Sequence, residues 1–167
     1  EEAHGLLNKT ESMVSDGQDT MLPDIVSYSN VMKAYSKSRT SGAAEKASEL
    51  LQELQKLSSS GASSLKPSVS TYTFAIVAWG NSQRHDAAEQ AENLLWHILE
   101  LYNQGDDDLK PNVVTVNCVL RAWAKSREGG ATVRAESVFR WIEDRGAMLG
   151  IEPDGTSYLH MIQAWAH

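Results

Sequence analysis

The residues of this chain that can ionise, ligate or attack are scattered. His4, His85, His97, His160 and His167 have no second ligand at helical spacing, and Cys118 is the single cysteine. One cysteine gives neither a disulfide framework nor a thiolate metal cage, and within an apolar helix pattern it reads as a buried thiol. No nucleotide-cradling glycine loop, nucleophile elbow or zinc signature is present. Asp106, Asp107 and Asp108 are adjacent, but a calcium loop needs spaced ligands and a glycine turn, so they read as a solvated charge run. The sequence therefore predicts no enzyme, no metal and no cofactor. Two other residues stand out: Thr73 and Asn117 lie inside apolar helical patterns, where hydroxyl and amide side chains are mildly unfavourable and no cap is available to them.

Both belong to a recurring fifteen-residue unit. PNVVTVNCVLRAWAK, from Pro111 to Lys125, has counterparts PDIVSYSNVMKAYSK from Pro23, PSVSTYTFAIVAWGN from Pro67 and PDGTSYLHMIQAWAH from Pro153. Each carries apolar residues at i, i+3, i+4 and i+7, one face of an α-helix. The stripes are Tyr28, Val31, Met32, Tyr35; Tyr72, Ala75, Ile76, Trp79; Val116, Val119, Leu120, Trp123; and Tyr158, Met161, Ile162, Trp165. They predict helices over 25–38, 69–82, 113–126 and 155–167, with the recurring tryptophans as core anchors and Trp165 partly exposed.

A second helical pattern shares the period. Ala3, Ala47, Ala91 and Ala135 are 44 residues apart, each followed in register by an apolar pair: Leu6 and Leu7, Leu50 and Leu51, Leu94 and Leu95, Val138 and Phe139. The prolines fall 44, 44 and 42 residues apart, so only the last linker is shortened. Two helical patterns on one period mark a solenoid, each pair burying its apolar face against its neighbours. The expected fold is all-α, an α-α superhelix of helical hairpins with eight helices and no strand. Its units are a half repeat over 1–22, repeats over 23–66, 67–110 and 111–152, and a partial repeat over 153–167. The partner helices are expected over 1–14, from Ala43 to Ser59, to about Asn103 and to about Arg145. SSSGASS, from Ser58 to Ser64, reads as flexible linker. His97 faces away from the Leu94, Leu95, Ile98 stripe and is expected at the surface. Asn8-Lys9-Thr10 matches a glycosylation acceptor but falls on a helix pattern and is discounted. With no initiator Met and Glu1 already inside a helix pattern, the sequence reads as a piece of a longer array.

The net charge of −7 argues against a polyanion partner, but its distribution does not. All 22 acidic residues lie outside the proline-led helices, which carry Lys33, Lys37, Arg121 and Lys125. One face of the stack is thus cationic or neutral. The plain alternative is that short apolar helices leave little room for charge. No apolar run approaches the ~20 residues of a membrane span.

The opening P-x-[VI]-[VST]-[ST]-[YV], the apolar stripe after it and the A-x3-[LF] helix resemble the pentatricopeptide repeat family across essentially the whole chain. The tetratricopeptide signature W-x2-L-G-x2-Y is absent from all four proline-led helices. The resemblance implies a right-handed superhelix, proline-led helices lining an inner groove, and sequence-specific binding of single-stranded RNA, one base per repeat, in a mitochondrion or chloroplast. It implies base reading by Ser29 with Ser68, Thr73 with Asn112, and Asn117 with Asp154. Thr with Asn resembles the adenine-reading combination and Asn with Asp the uracil-reading one, while Ser with Ser is not a standard pair. Val26 and Val114 match the base-sandwiching valine, replaced at Ser70 and Thr156. Lys37 and Lys125 match a backbone-phosphate position. The repeats are longer than the family's, with extra residues in the interhelical turns and linkers, and Leu159 occupies a base-reading position without a hydrogen-bonding group. Asp24, Ser68, Asn112 and Asp154 are also the residue types favoured as helix N-caps, so capping alone would account for them. The alternative function is a protein-interaction solenoid holding a peptide or partner helix in its groove.

Overall fold

The structure, a computed structural model, describes residues 23–166 together with Gly5. The helix expected over 1–14, with Ala3, Leu6, Leu7 and Met13, and the Asn8 acceptor lie outside that range. Seven α-helices follow: α1 (Ile25–Lys37), α2 (Ala43–Ser59), α3 (Val69–Asn81), α4 (Ala87–Asn103), α5 (Val113–Lys125), α6 (Ala131–Leu149) and α7 (Gly155–Trp165). Short 3-10 turns occupy Ser63–Leu65 and Asp107–Leu109, and no strand occurs among the described residues. The fold is an all-α superhelix of hairpins.

The proline-led helices start where a side-chain acceptor meets a free backbone amide. Asp24, Ser68, Asn112 and Asp154 accept from the N–H groups of Ser27, Thr71, Thr115 and Ser157. Such a cap stabilises a helix by ~1 kcal/mol. Ser68 and Asp154 complete capping boxes, because the Thr71 and Ser157 hydroxyls accept from the cap's own N–H. Two partner helices start differently, from Gly42 and Gly130 at φ 84 and 92, a region glycine enters without penalty.

Packing is asymmetric between the two rows. Each proline-led helix packs on the next one along, α1 on α3, α3 on α5 and α5 on α7. Each partner helix wedges between its own proline-led helix and the following one. At the α3–α5 crossing, a Cβ added to Gly80 would lie 3.3 Å from the Ala122 Cβ, so small residues permit the close approach. The partner helices meet through long side chains, as in the edge-to-face pair of Trp96 and Trp141 at 5.2 Å. Close spacing in one row and wide spacing in the other curve the stack, with the proline-led helices on the inner side.

The stripes expected to be apolar are buried. Tyr28, Met32, Leu50, Leu54, Tyr72, Ile76, Leu95 and Leu120 are fully enclosed, and Trp123 is 4% exposed. On α7 Ser157, Met161 and Ala164 are buried, while Tyr158, Leu159, Ile162 and Trp165 are exposed. Several local expectations are corrected. α6 runs to Leu149 rather than Arg145, and ends at left-handed Gly150 with Ile151 N–H donating to Gly146 O at 2.8 Å. That wrap replaces the 3-10 turn of the earlier linkers and explains the shortened spacing. SSSGASS ends α2 with Ser58 and Ser59, turns at Ser60 and Gly61 and enters the 3-10 turn at Ser63, so it is not a free linker. Leu65, Leu109 and Ile151, two residues before each proline, pack into the core. Asp106 and Asp108 are not simply solvated, since both bind Lys66 Nζ, at 2.7 and 3.1 Å, tying one linker to the next.

Candidate nucleic-acid interface

Opposite the buried stripe, the first three proline-led helices carry a second stripe, spaced i, i+4, i+7, i+11, that is exposed on α1 and exposed to half-buried on α3 and α5. On α1 it is Val26, Asn30, Lys33 and Lys37; on α3 it is Ser70, Phe74, Val77 and Asn81; on α5 it is Val114, Cys118, Arg121 and Lys125. No member is acidic. Val26 and Val114 are 58% and 60% exposed, an uncommon placement for valines and one that leaves them free to stack on a flat ring. Lys33, Lys37 and Lys125 are exposed, and none of them, nor Arg121, has an ion-pair partner among the described residues. The Arg121 Nε and Nη2 groups are enclosed without a hydrogen-bond partner. Burial, and then the like charges of Arg121 and Arg39, hold the Lys125 ammonium below the ordinary lysine range. Cationic charge is therefore crowded on this face, with no acid paired to it among the described residues.

Ser29, Thr73 and Asn117 do not point straight into the groove. They occupy the flank of each helix that meets the next repeat. The Ser29 hydroxyl donates back to Ile25 O at 2.6 Å. Thr73 Oγ1 donates to Val69 O at 2.7 Å and meets Thr115 Oγ1 at 2.8 Å. Thr115 in turn lies 3.1 Å from Asn112 Oδ1, so the Thr73 and Asn112 pair is connected through one hydroxyl. Asn117 goes further: its Nδ2 donates to Asp154 Oδ1 at 2.9 Å and its Oδ1 accepts from the Ser157 hydroxyl at 2.7 Å. Asn117 is 7% exposed. Amides from Ser157, and then Asn117, hold the Asp154 carboxyl below the ordinary aspartate value. The structure thus unites Asn117 with Asp154, links Thr73 with Asn112, and leaves Ser29 and Ser68 each satisfied within its own helix start.

Two features were not anticipated from sequence. The first is an indole clasp from three of the four proline-led helices to the partner helix that precedes each. Trp79 Nε1 donates to Ser48 Oγ at 2.8 Å, Trp123 to Glu92 Oε2 at 2.7 Å, and Trp165 to Glu136 Oε1 at 2.8 Å. Ser48, Glu92 and Glu136 sit 44 residues apart, a signal available in the sequence. Glu92 is 2% exposed and also binds Trp96 Nε1 and Arg134 Nη2, each at 2.8 Å. The second is His97, which is half-buried rather than free at the surface. It lies 3.2 Å from Gln55 Nε2, and that amide also donates to the Tyr72 hydroxyl. Cys118 is likewise only partly buried, and desolvation pushes its thiol up.

Among the described residues no group of His, Cys, Asp or Glu is gathered to hold a metal ion, and no helix is long and apolar enough to cross a membrane. No protein-family model, curated protein or solved structure matches this chain.

Proposed function

We propose that this chain is part of a pentatricopeptide-type array that binds single-stranded RNA along its proline-led row, without catalysis, cofactor or small-molecule substrate, in a mitochondrion or chloroplast. The observation that carries the reading is the acid-free stripe of the proline-led row, whose four cations have no ion-pair partner among the described residues, in a chain whose net charge is −7. Phosphates supply the missing counter-charge, while Val26 and Val114 offer apolar faces for bases. Base choice falls to the flank residues. The Asn117 amide is oriented by an acceptor-only carboxylate on one side and a hydroxyl donor on the other, leaving one N–H and one lone pair for a uracil edge. Thr73 with Asn112 takes the adenine. The measurement is fluorescence anisotropy of a longer array containing these repeats, at low salt, with strands carrying or scrambling the central adenine-uracil step. Binding that ignores both salt and sequence overturns the reading.

A second reading, a protein-interaction solenoid, is favoured by one fact: the polar groups of Asn117 and Thr73 are already bonded within the protein. In that case a peptide or helix packs on Val26, Phe74 and Val114, and its affinity changes little with salt.

A further inference from the structure

The interhelical turns carry a site that adjoins the base-facing row at Lys125 and extends beyond the helix ends. Between them lies a cavity of about 670 Å3. Arg39 enters from the α1–α2 turn, His85 from the α3–α4 turn, and Lys125 and Arg127 from the end of α5 and the turn after it. Arg39 and Arg127 are 88 residues apart, the same position two repeats on, each following a serine. A cation in the last turn of a helix is explained by the helix dipole, which covers Lys37 and Lys125. Arg39 and Arg127 lie beyond the helix ends, so that explanation does not reach them.

The charges in the cavity do not balance. Arg84 is committed, to Asp86 at 2.8 Å and Glu45 at 3.1 Å. Arg39, Lys125 and Arg127 have no ion-pair partner among the described residues. The lining acid is Glu128, whose Oε1 lies 3.0 Å from His85 Nδ1, off the hydrogen-bonding direction, since that oxygen has no hydrogen-bond partner. Ala87 and Ala88, the first residues of α4, also line the cavity and bring the positive end of a seventeen-residue helix to it. Arginines supply forked donors suited to phosphate oxygens, and Lys125 a point charge.

We infer that this turn cavity is a phosphate-binding site held by Arg39, Lys125 and Arg127. Where it serves the strand of the proposed array, it takes a backbone phosphate beside the base-reading row, an inference that rests on the RNA reading. A free phosphate-bearing anion has the same chemistry, and the two sources separate by experiment.

The test is two-dimensional amide NMR of the chain at low salt, titrated with sodium pyrophosphate and separately with a short adenine-uracil RNA. Pyrophosphate is expected to shift the amides of Gln83, His85 and Arg127 saturably. The double variant R39Q/R127Q, altered only at exposed side chains, is expected to bind it at least tenfold more weakly with an unchanged thermal midpoint. Shifts no larger than those from chloride at equal ionic strength, or an unaffected double variant, overturn the site. If RNA moves the same amides and pyrophosphate displaces it, the phosphate belongs to the strand. If pyrophosphate acts there and RNA moves neither these amides nor those of the proline-led row, even in a longer array of the same repeats, the site stands for a free anion and the RNA reading falls without touching this one.

Discussion

Asn117 on α5 donates to Asp154, the cap of α7, across a 2.9 Å hydrogen bond between consecutive repeats. One side chain thereby joins the start of one helix to the flank of its neighbour, and Ser157 completes the link by donating to the same amide. The pair that would read a base is also a piece of the solenoid's own mortar. Asn117→Ala takes the nearer of two acceptors from the buried Ser157 hydroxyl and removes the Asn117 side-chain donor from the cap carboxylate. Each lost hydrogen bond costs about 0.5–1.5 kcal/mol, so the urea midpoint is expected to fall accordingly. A midpoint equal to that of the parent would show the bond to be incidental.

Acid sensitivity follows from the same caps. Asp154 is held below its ordinary value of 3.8 by the amide of Ser157 and by Asn117, Asp24 by the amide of Ser27, and Asp86 by Arg84. A carboxylate with a lowered folded value contributes stability that is fully present above the unfolded value. That contribution is lost as pH falls from about 3.8 through the lowered folded values. Urea midpoints are therefore expected to be flat near neutrality and to drop below that point. Asp154→Asn, which keeps an acceptor for the cap, should flatten the acid limb.

Trp123 tests the core. Its ring is enclosed between hairpins and its indole N–H ends on buried Glu92. Trp123→Ala is expected to destabilise the chain by about 3–5 kcal/mol. Glu92→Ala is expected to be costly as well, because the Trp96, Trp123 and Arg134 donors lose one shared acceptor. Calorimetric midpoints that barely move in either variant would contradict the clasp.

Gly146 offers a case where the usual rule inverts. Replacing a helical glycine by alanine ordinarily stabilises by up to ~1 kcal/mol. Here the added Cβ would run into the Ile151 carbonyl oxygen, and would come within 2.9 Å of the Ile142 methyl. The oxygen belongs to backbone fixed by the wrap at Gly150, so it cannot yield cheaply. Gly146→Ala is expected to destabilise by about 1–3 kcal/mol, and a stabilised variant would show that the α6 terminus is loose.

Local patterns were legible in the sequence and contacts between repeats were not. The 44-residue period, both apolar stripes and the caps Asp24, Ser68, Asn112 and Asp154 are set within a helix turn or two, and periodicity carries them. The bonds of Asn117 to Asp154, Trp123 to Glu92 and Gln55 to His97 span 37, 31 and 42 residues. Nothing within either helix announces these bonds, although the family resemblance does pair Asn117 with Asp154 as base readers. Register did hold a signal for Ser48, Glu92 and Glu136, and for Leu65, Leu109 and Ile151 before the prolines, because each set recurs with the repeat. For His97 no such signal existed: its counterparts, Glu53 and Trp141, differ in kind.

The last prediction concerns the 167 residues alone, and it sets the array against its fragment. Two of the three complete pairs, Thr73 with Asn112 and Asn117 with Asp154, carry standard combinations, and the third is Ser29 with Ser68. Stacking contributes roughly 1–3 kcal/mol per base, so three bases give about 3–9 kcal/mol. Association costs an estimated 4–15 kcal/mol. The groove cations favour a polyanion, but the net charge of −7 opposes its approach. Rearranging the Asn117 and Thr73 bonds toward a base draws further on that small surplus. The fragment is therefore expected to bind RNA barely, while a longer array of the same repeats binds with affinity that falls steeply as salt rises. Anisotropy at low salt compares the two directly. Submicromolar, sequence-dependent binding by the fragment would show that each repeat contributes more than stacking and charge supply. Silence from the longer array as well would remove the RNA reading and leave the protein-binding groove in its place.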